Sequence, residues 1–335
     1  MRTPLNDSEV PVSWFALGSH RSESGARPVL VVEHGMFDLQ GHAERIGYSA
    51  LATVAAQGLH TIMECWPELG ADVLALAERA KTERDGLSPI PDETRFAAPF
   101  RPARIFAAAS NYVEHANEMG TALAGKADSA PYIFIKASSS VIGPGEAIVL
   151  PPMAERVDWE VELAAVIGRG GRNIPVEQAL AHVAGYTVFN DVSARDLTRR
   201  NDFPFKFDWF QGKSFDTFGP LGPWIVPAAV IGDPQNLRLT LTLNDRVMQD
   251  DTTGAMIFNI AEQISYLSSI LMLRPGDVIA TGTPNGVGLG HGVFLKPGDT
   301  VCARIEKIGS LTNPVEAAPS CEMATVLAPK SGSKP

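Results

Sequence analysis

The chain has little sulfur, no surplus of positive charge and no long apolar run, and each lack excludes a class of protein. Its three cysteines, Cys65, Cys302 and Cys321, lie far apart and match no zinc spacing. Such scarcity suits a reducing compartment rather than a disulfide scaffold. Lys and Arg number 28 against 38 Asp and Glu, a formal net charge of −10. With no basic stripe interleaved with aromatics, that balance argues against a nucleic-acid partner. No stretch of about 18 apolar residues is present, so neither a transmembrane helix nor a membrane partner is expected. The stretch from Met1 to Glu9 has no apolar signal core, and a cytoplasmic location is expected. An acidic protein that handles an anion needs a metal or a few local cations to do so.

What is present is ordinary globular composition, 45% hydrophobic and 20% charged over 335 residues, enough for two domains or one large one. Residues 1–98 read as a small α+β unit. Val29–Glu33 forms a strand, Gly35–Leu39 turns into another, and alanine-rich helices cover Tyr48–Gln57 and Gly70–Lys81. Asp85–Asp92 is dense in turn formers and reads as a linker. Residues 99–316 are dense in short strands. Leu237–Leu243 alternates cleanly into an Asn244-Asp245 hairpin turn, and Asn259 caps a helix running to Leu273. The tail 317–335 is expected to be disordered.

Two carboxylates stand out. From Val157 to Leu163, apolar residues alternate with Asp158, Glu160 and Glu162, the period of a strand with acids on one face. Alternating acids usually mark a wet face. Here the run turns apolar at every position through Ile167, as a strand entering a core does. Burying two like charges side by side costs several kcal/mol or more without a cation. Asp191, where the strand Gly185–Phe189 meets a loop, adds a third acid. Three carboxylates on neighbouring strands suit Mg2+ or Mn2+ with open positions for water or substrate. Gly168-Arg169-Gly170-Gly171 lacks the lysine and hydroxyl of a P-loop and reads as a turn.

Further segments carry chemical groups. His115 and Glu118 are three apart, on one face of a helical turn. Lys213 follows a glycine in an aromatic-rich segment, and Thr281-Gly282-Thr283-Pro284 is a small-residue turn able to hold a carboxylate. The order of these segments resembles the fumarylacetoacetate hydrolase family from about Ala103 to Val315. The matching stretches are Asn111-Tyr112 with His115 and Glu118-Met119-Gly120, Asp158 to Ala164, Gly185-Tyr186-Thr187, Asn190 to Asp196, Gly212 to Asp216, Pro275 to Ile279, and Thr281 to Pro284.

The resemblance implies a mixed, mostly β fold: a bent β-sheet roll around a central metal site, with a small α+β N-terminal domain, usually as a homodimer. It implies that Glu160, Glu162 and Asp191 ligate the metal and that His115 and Glu118 form a catalytic dyad on a lid. Lys213, Thr283 and Arg195 fall on its substrate-contacting and catalytic motifs. Two departures are visible. Ser110 and Asn111 stand where founder-type hydrolases have an aspartate that adds a fourth ligand, and Thr198 replaces a substrate-contacting glutamine. The segment Arg199–Phe210 is expected to wall the pocket. The reaction implied is metal-assisted hydrolysis of a carbon–carbon bond in an acylpyruvate or related β-diketo acid, with His115 activating water. Decarboxylation of an oxaloacetate-type acid and isomerisation of an unsaturated oxo-diacid use the same charge stabilisation and remain open. The partner is a small anionic oxo acid.

Overall fold

The alternation in Leu237–Leu243 is met by a strand Arg238–Leu243 whose leucines are buried. Asn244 and Asp245 take φ values of 49° and 67°, the left-handed pair that a type I′ hairpin needs. The return strand Arg246–Thr252 pairs antiparallel with it. The computed structural model describes residues 14–319, except 24, 34, 83–88, 91–95, 121, 122 and 203. Most of the Asp85–Asp92 linker and the tail from residue 320 therefore lie outside the described residues. Ala317 still belongs to the strand Gly309–Ala317.

Two sheets carry the fold. The larger runs in the order Pro89–Ile90, Gly35–Asp38, Gly25–Val32, Phe15–Ser22, Gly219–Pro227, Val183–Asn190, Val161–Ile167, Val278–Ala280, Ile105–Ala109, Tyr132–Lys136. The smaller contains Arg246–Thr252, Arg238–Leu243, Thr300–Ile305, Gly309–Ala317 and Ile148–Leu150. The large sheet crosses the boundary expected near residue 98, because Phe15–Ser22 pairs antiparallel with Gly219–Pro227, with Leu17 opposite Ile225. The N-terminal strands are thus continuous with the central sheet.

Strand Val161–Ile167 explains the apolar run read from the sequence. Val161, Leu163, Ala165 and Ile167 pack with Leu239, Leu241 and Val301 of the smaller sheet. Ala164 and Val166 pack on the other side with Phe15, Leu17 and the N-terminal helical residues Leu51, Ile62 and Leu76. Both faces are buried, so no polar alternation survives past Glu162. The strand is not continuous from Val157 as the alternation suggested. Val157–Asp158 pairs with Ser193–Ala194, and Trp159–Glu160 interrupts. The cause is Asn190, whose side-chain oxygen accepts from the Glu160 amide at 3.0 Å.

Helix Ile260–Ile270 is closed at its start by a reciprocal pair. The Asn259 side chain accepts from the Glu262 amide at 2.9 Å, and the Glu262 carboxylate accepts from the Asn259 amide at 2.7 Å. The helix stops three residues short of Leu273. The Leu273 and Gly171 backbones exchange two hydrogen bonds, which pulls the chain into an extended bridge. Among the described residues no helix is long and apolar enough to cross a membrane.

Candidate active site

The backbone of the central strands brings the three predicted ligands together. Glu162 lies early in Val161–Ile167, Glu160 just before it, and Asp191 follows the last residue of Val183–Asn190, the antiparallel neighbour. The Asp191 amide donates to the Glu160 carbonyl at 2.9 Å and locks the two chain turns together. One carboxylate oxygen from each of Glu160, Glu162 and Asp191 lies within 4.8 Å of the others, and all three residues are buried.

Three cations face four carboxylates in this cluster, all buried or half-buried. The Lys213 ammonium donates to Glu160 at 2.7 Å and to Asp191 at 2.6 Å. Lys136 donates to the other oxygen of Asp191 at 2.5 Å and to the Val192 carbonyl at 3.2 Å. Arg195 spans Asp158 at 2.7 Å and Glu160 at 2.6 Å. Glu162 makes no ion pair with any described residue. One of its oxygens accepts from the Gly282 amide at 2.8 Å, and the other, Oε1, has no hydrogen-bond partner.

These surroundings split the carboxyls. Burial acts to raise the Glu160 carboxyl, but Lys213 and Arg195 outweigh it and hold the group well below the usual range. Burial, with the negative charges of Asp191 and Glu160, pushes Glu162 well above it. An unpartnered buried oxygen on an otherwise unbalanced carboxylate is what a divalent ion would satisfy. The donor set fits: three carboxylates in reach of one another, one with an unused oxygen. The small-residue turn does hold a carboxylate, and it is the protein's own. The Gly282 amide that binds Glu162 requires φ +97°, and a Cβ there would sit 2.7 Å from the Asn111 Cβ.

Asn111 supplies no fourth ligand. Its amide donates to the Phe258 and Thr281 carbonyls at 2.9 and 2.8 Å, and its oxygen accepts from the Phe258 amide at 2.8 Å. It ties the segment after Ile105–Ala109 to the turn that carries Gly282. Thr283 also serves that turn, donating to the Val161 carbonyl at 2.8 Å and accepting from Gln249 at 2.9 Å. Thr198 turns its hydroxyl to the Ala194 carbonyl at 2.9 Å.

A cavity of about 530 Å³ opens over the cluster, lined by Glu160, Arg195, Lys213, Thr283 and His115 among others. Arg199, Phe207 and Trp209 line it too, so the segment expected to wall the pocket does so. Lys213 and Arg195 reach the cavity with their charges already matched by carboxylates. Lys136 was not read from the sequence as part of the site. Its signal is a lone cation closing the apolar strand Tyr132–Lys136.

His115 and Glu118 lie on the short helix Val113–Glu118, with Nδ1 of His115 3.7 Å from the Glu118 carboxylate. That is a charge contact rather than a hydrogen bond. Glu118 accepts instead from the Gly286 amide at 3.0 Å and the Val287 amide at 3.4 Å. Burial acts to raise its carboxyl, but His115 and these amides outweigh it and keep it low, so it stays ionised beside the imidazole. The close approach needs Gly290, where a Cβ would lie 2.1 Å from a Glu118 carboxylate oxygen and 2.3 Å from its carbon. Gly290→Ala should push Glu118 off its amides and cut turnover by about 10²-fold, the scale of a roughly 1 Å misplacement. Steady-state kinetics would check this. Unchanged turnover would remove Glu118 from the working site.

Known proteins resemble this chain in sequence and in fold. The human protein named oxaloacetate tautomerase FAHD2B, mitochondrial, is 43% identical over 251 residues, covering 74% of this chain and 77% of that protein. The solved structure of a fumarylacetoacetate hydrolase from psychrophilic Exiguobacterium antarcticum superposes with a TM-score of 0.74 at 31% identity. It covers 91% of this chain and all (100%) of that one. A maleylpyruvate hydrolase from Sphingobium sp. SYK-6, solved with manganese(II) and pyruvate, gives 0.68 at 26% identity over 90% of this chain and 100% of its own. Residues 104–316 match the family model described as fumarylacetoacetate (FAA) hydrolase C-terminal, and with that span matched the chain belongs to the fumarylacetoacetate hydrolase family.

Proposed function

We propose that this chain is a divalent-metal-dependent enzyme that interconverts the keto and enol forms of a small 2-oxo diacid of the oxaloacetate kind. The observation that carries the reading is the placing of His115, backed by an ionised Glu118, on the wall of a cavity floored by Glu160. The 43% identity to a protein named oxaloacetate tautomerase supports the choice of substrate. Glu160, Glu162 and Asp191 would hold Mg2+ or Mn2+. When bound, such an ion supplies a Lewis acid worth several kcal/mol to negative charge developing on the 2-oxo oxygen. The protein's own part is proton movement. His115 takes a proton from the carbon beside the 2-oxo group, and Glu118 balances the imidazolium until the proton is given up to oxygen. A base so placed is worth roughly 10²–10⁴-fold.

Hydrolysis remains the second reading, favoured by the likeness to the maleylpyruvate hydrolase. In it, His115 takes its proton from water, hydroxide adds to the distal carbonyl of an acylpyruvate, and the carbon–carbon bond breaks to an acid and pyruvate. One assay separates the two. The protein is stripped with chelator, reloaded with Mg2+ or Mn2+, and given the enol of oxaloacetate or an acylpyruvate. Enol absorbance should vanish faster than with metal alone, without release of pyruvate. No acceleration, with acid and pyruvate appearing from the acylpyruvate, would replace tautomerisation by hydrolysis.

A further inference from the structure

The cations of the acid cluster under the cavity are committed. Lys136, Lys213 and Arg195 each bond to buried carboxylates. Two other arginines that line the same cavity are not. Arg156 and Arg199 make no ion pair with any described residue. Each lies instead on an aromatic face, Arg156 4.9 Å from the Phe294 ring centre and Arg199 5.3 Å from that of Phe207. An unpaired arginine on open surface means little. Two of them on one cavity wall, oriented by rings in a chain of net charge −10, leave an unfilled demand for an anion.

Their placement relative to the acid cluster is defined by Arg195. The Arg195 amide donates to the Arg156 carbonyl at 2.9 Å, and Arg199 is the first residue beyond the short helix Arg195–Thr198. Both residues are therefore held next to Arg195 by the backbone, and all three line the cavity. Asp196, the nearby acid best placed in sequence to neutralise them, is engaged by the Glu155 and Arg156 amides at 2.8 and 3.3 Å.

We propose that Arg156 and Arg199 bind the distal carboxylate of the substrate and so select a 2-oxo diacid over the 2-oxo monoacid of equal length. This rests on the proposed reading of the site as one for oxo acids. A guanidinium pairs with a carboxylate through parallel N–H donors, which a methyl group in the same place cannot accept. Both arginines are exposed, so selection comes from the charge-assisted hydrogen bonds that the monoacid fails to make.

The test compares oxaloacetate with 2-oxobutanoate, following C3 hydrogen exchange into deuterated water by NMR. It uses the metal-loaded wild type, Arg156→Gln, Arg199→Gln and the double variant. A parallel calorimetric titration uses malate and 2-hydroxybutanoate, which cannot enolise. The wild type should prefer the diacid in both assays. Each single variant should reduce that preference roughly 10-fold, and the double variant should nearly abolish it. Equal melting temperatures would certify the fold. A wild type that handles diacid and monoacid alike, or variants that keep the preference, would overturn the proposal. If no oxo acid enolises but malate still binds in an arginine-dependent way, the tautomerase reading fails and this one stands.

Discussion

Glu162→Gln is expected to make the metal-free protein more stable while removing its turnover. Glu162 is buried without an ion pair, one oxygen is unpartnered, and the carboxylates of Asp191 and Glu160 stand beside it. Burial and these neighbours raise its carboxyl well above the ordinary value of 4.5. Below that value the folded and unfolded chains both hold the proton, and the site carries no penalty. As pH rises the unfolded chain ionises first, and folding loses stability until the raised folded value is passed. A glutamine has no charge to lose. Its carbonyl can keep the Gly282 amide, and its NH2 can donate toward the neighbouring carboxylates. The gain should be absent below a pH of about 4 and reach about 1–3 kcal/mol near neutrality. Denaturant melts of the chelated protein across pH would measure it. The wild type should then gain stability on adding Mg2+ or Mn2+, and the variant should not. A chelated variant less stable than wild type at neutral pH would sink this account. Glu160 offers no such gain, because its removal takes from buried Lys213 and Arg195 one of the two carboxylates that each binds.

His115→Gln is expected to lower kcat by about 10²–10⁴-fold and leave metal binding intact. His115 lines the cavity without a hydrogen bond to Glu160, Glu162 or Asp191, and its Nδ1 has no hydrogen-bond partner among the described residues. Its removal takes away a proton acceptor without opening the carboxylate cluster. Titration of the variant with Mn2+ should give the wild-type affinity, and single-turnover kinetics should place the loss in the chemical step. If exchange of the C3 hydrogen persists at the wild-type rate, another group is the base. If metal affinity collapses as well, His115 belongs to the cluster rather than to proton transfer.

The acid cluster was legible because its signal is local. A period of two names the strand, the apolar run names the core, and Asp191 at a strand end names the place where the two meet. What could not be read depends on contacts distant in sequence. Lys136 closes a strand whose other residues are partly open, so a lone lysine there reads as solvent-facing. Only the approach of Asp191, 55 positions on, buries its ammonium. Arg195 and Lys213 were expected to reach for substrate. Their distance from the carboxylates, 22 to 53 positions along the chain, concealed that they balance charge within the protein. The break at Trp159–Glu160 comes from a side-chain acceptor, Asn190, competing for a backbone amide. Alternation alone carries no mark of that.

The pairing of Phe15–Ser22 with Gly219–Pro227 makes the folding unit larger than the span that the family model covers. The stretch shared with relatives under the family model begins at residue 104. A fragment cut there would leave the Gly219–Pro227 strand with a bare edge of unsatisfied backbone groups, a template for intermolecular pairing. It would also uncover Ala164, Val166, Phe189 and Ile225, whose cover comes from the first hundred residues. In this chain the first hundred residues are therefore part of the sheet that carries the site, not an appendage to it.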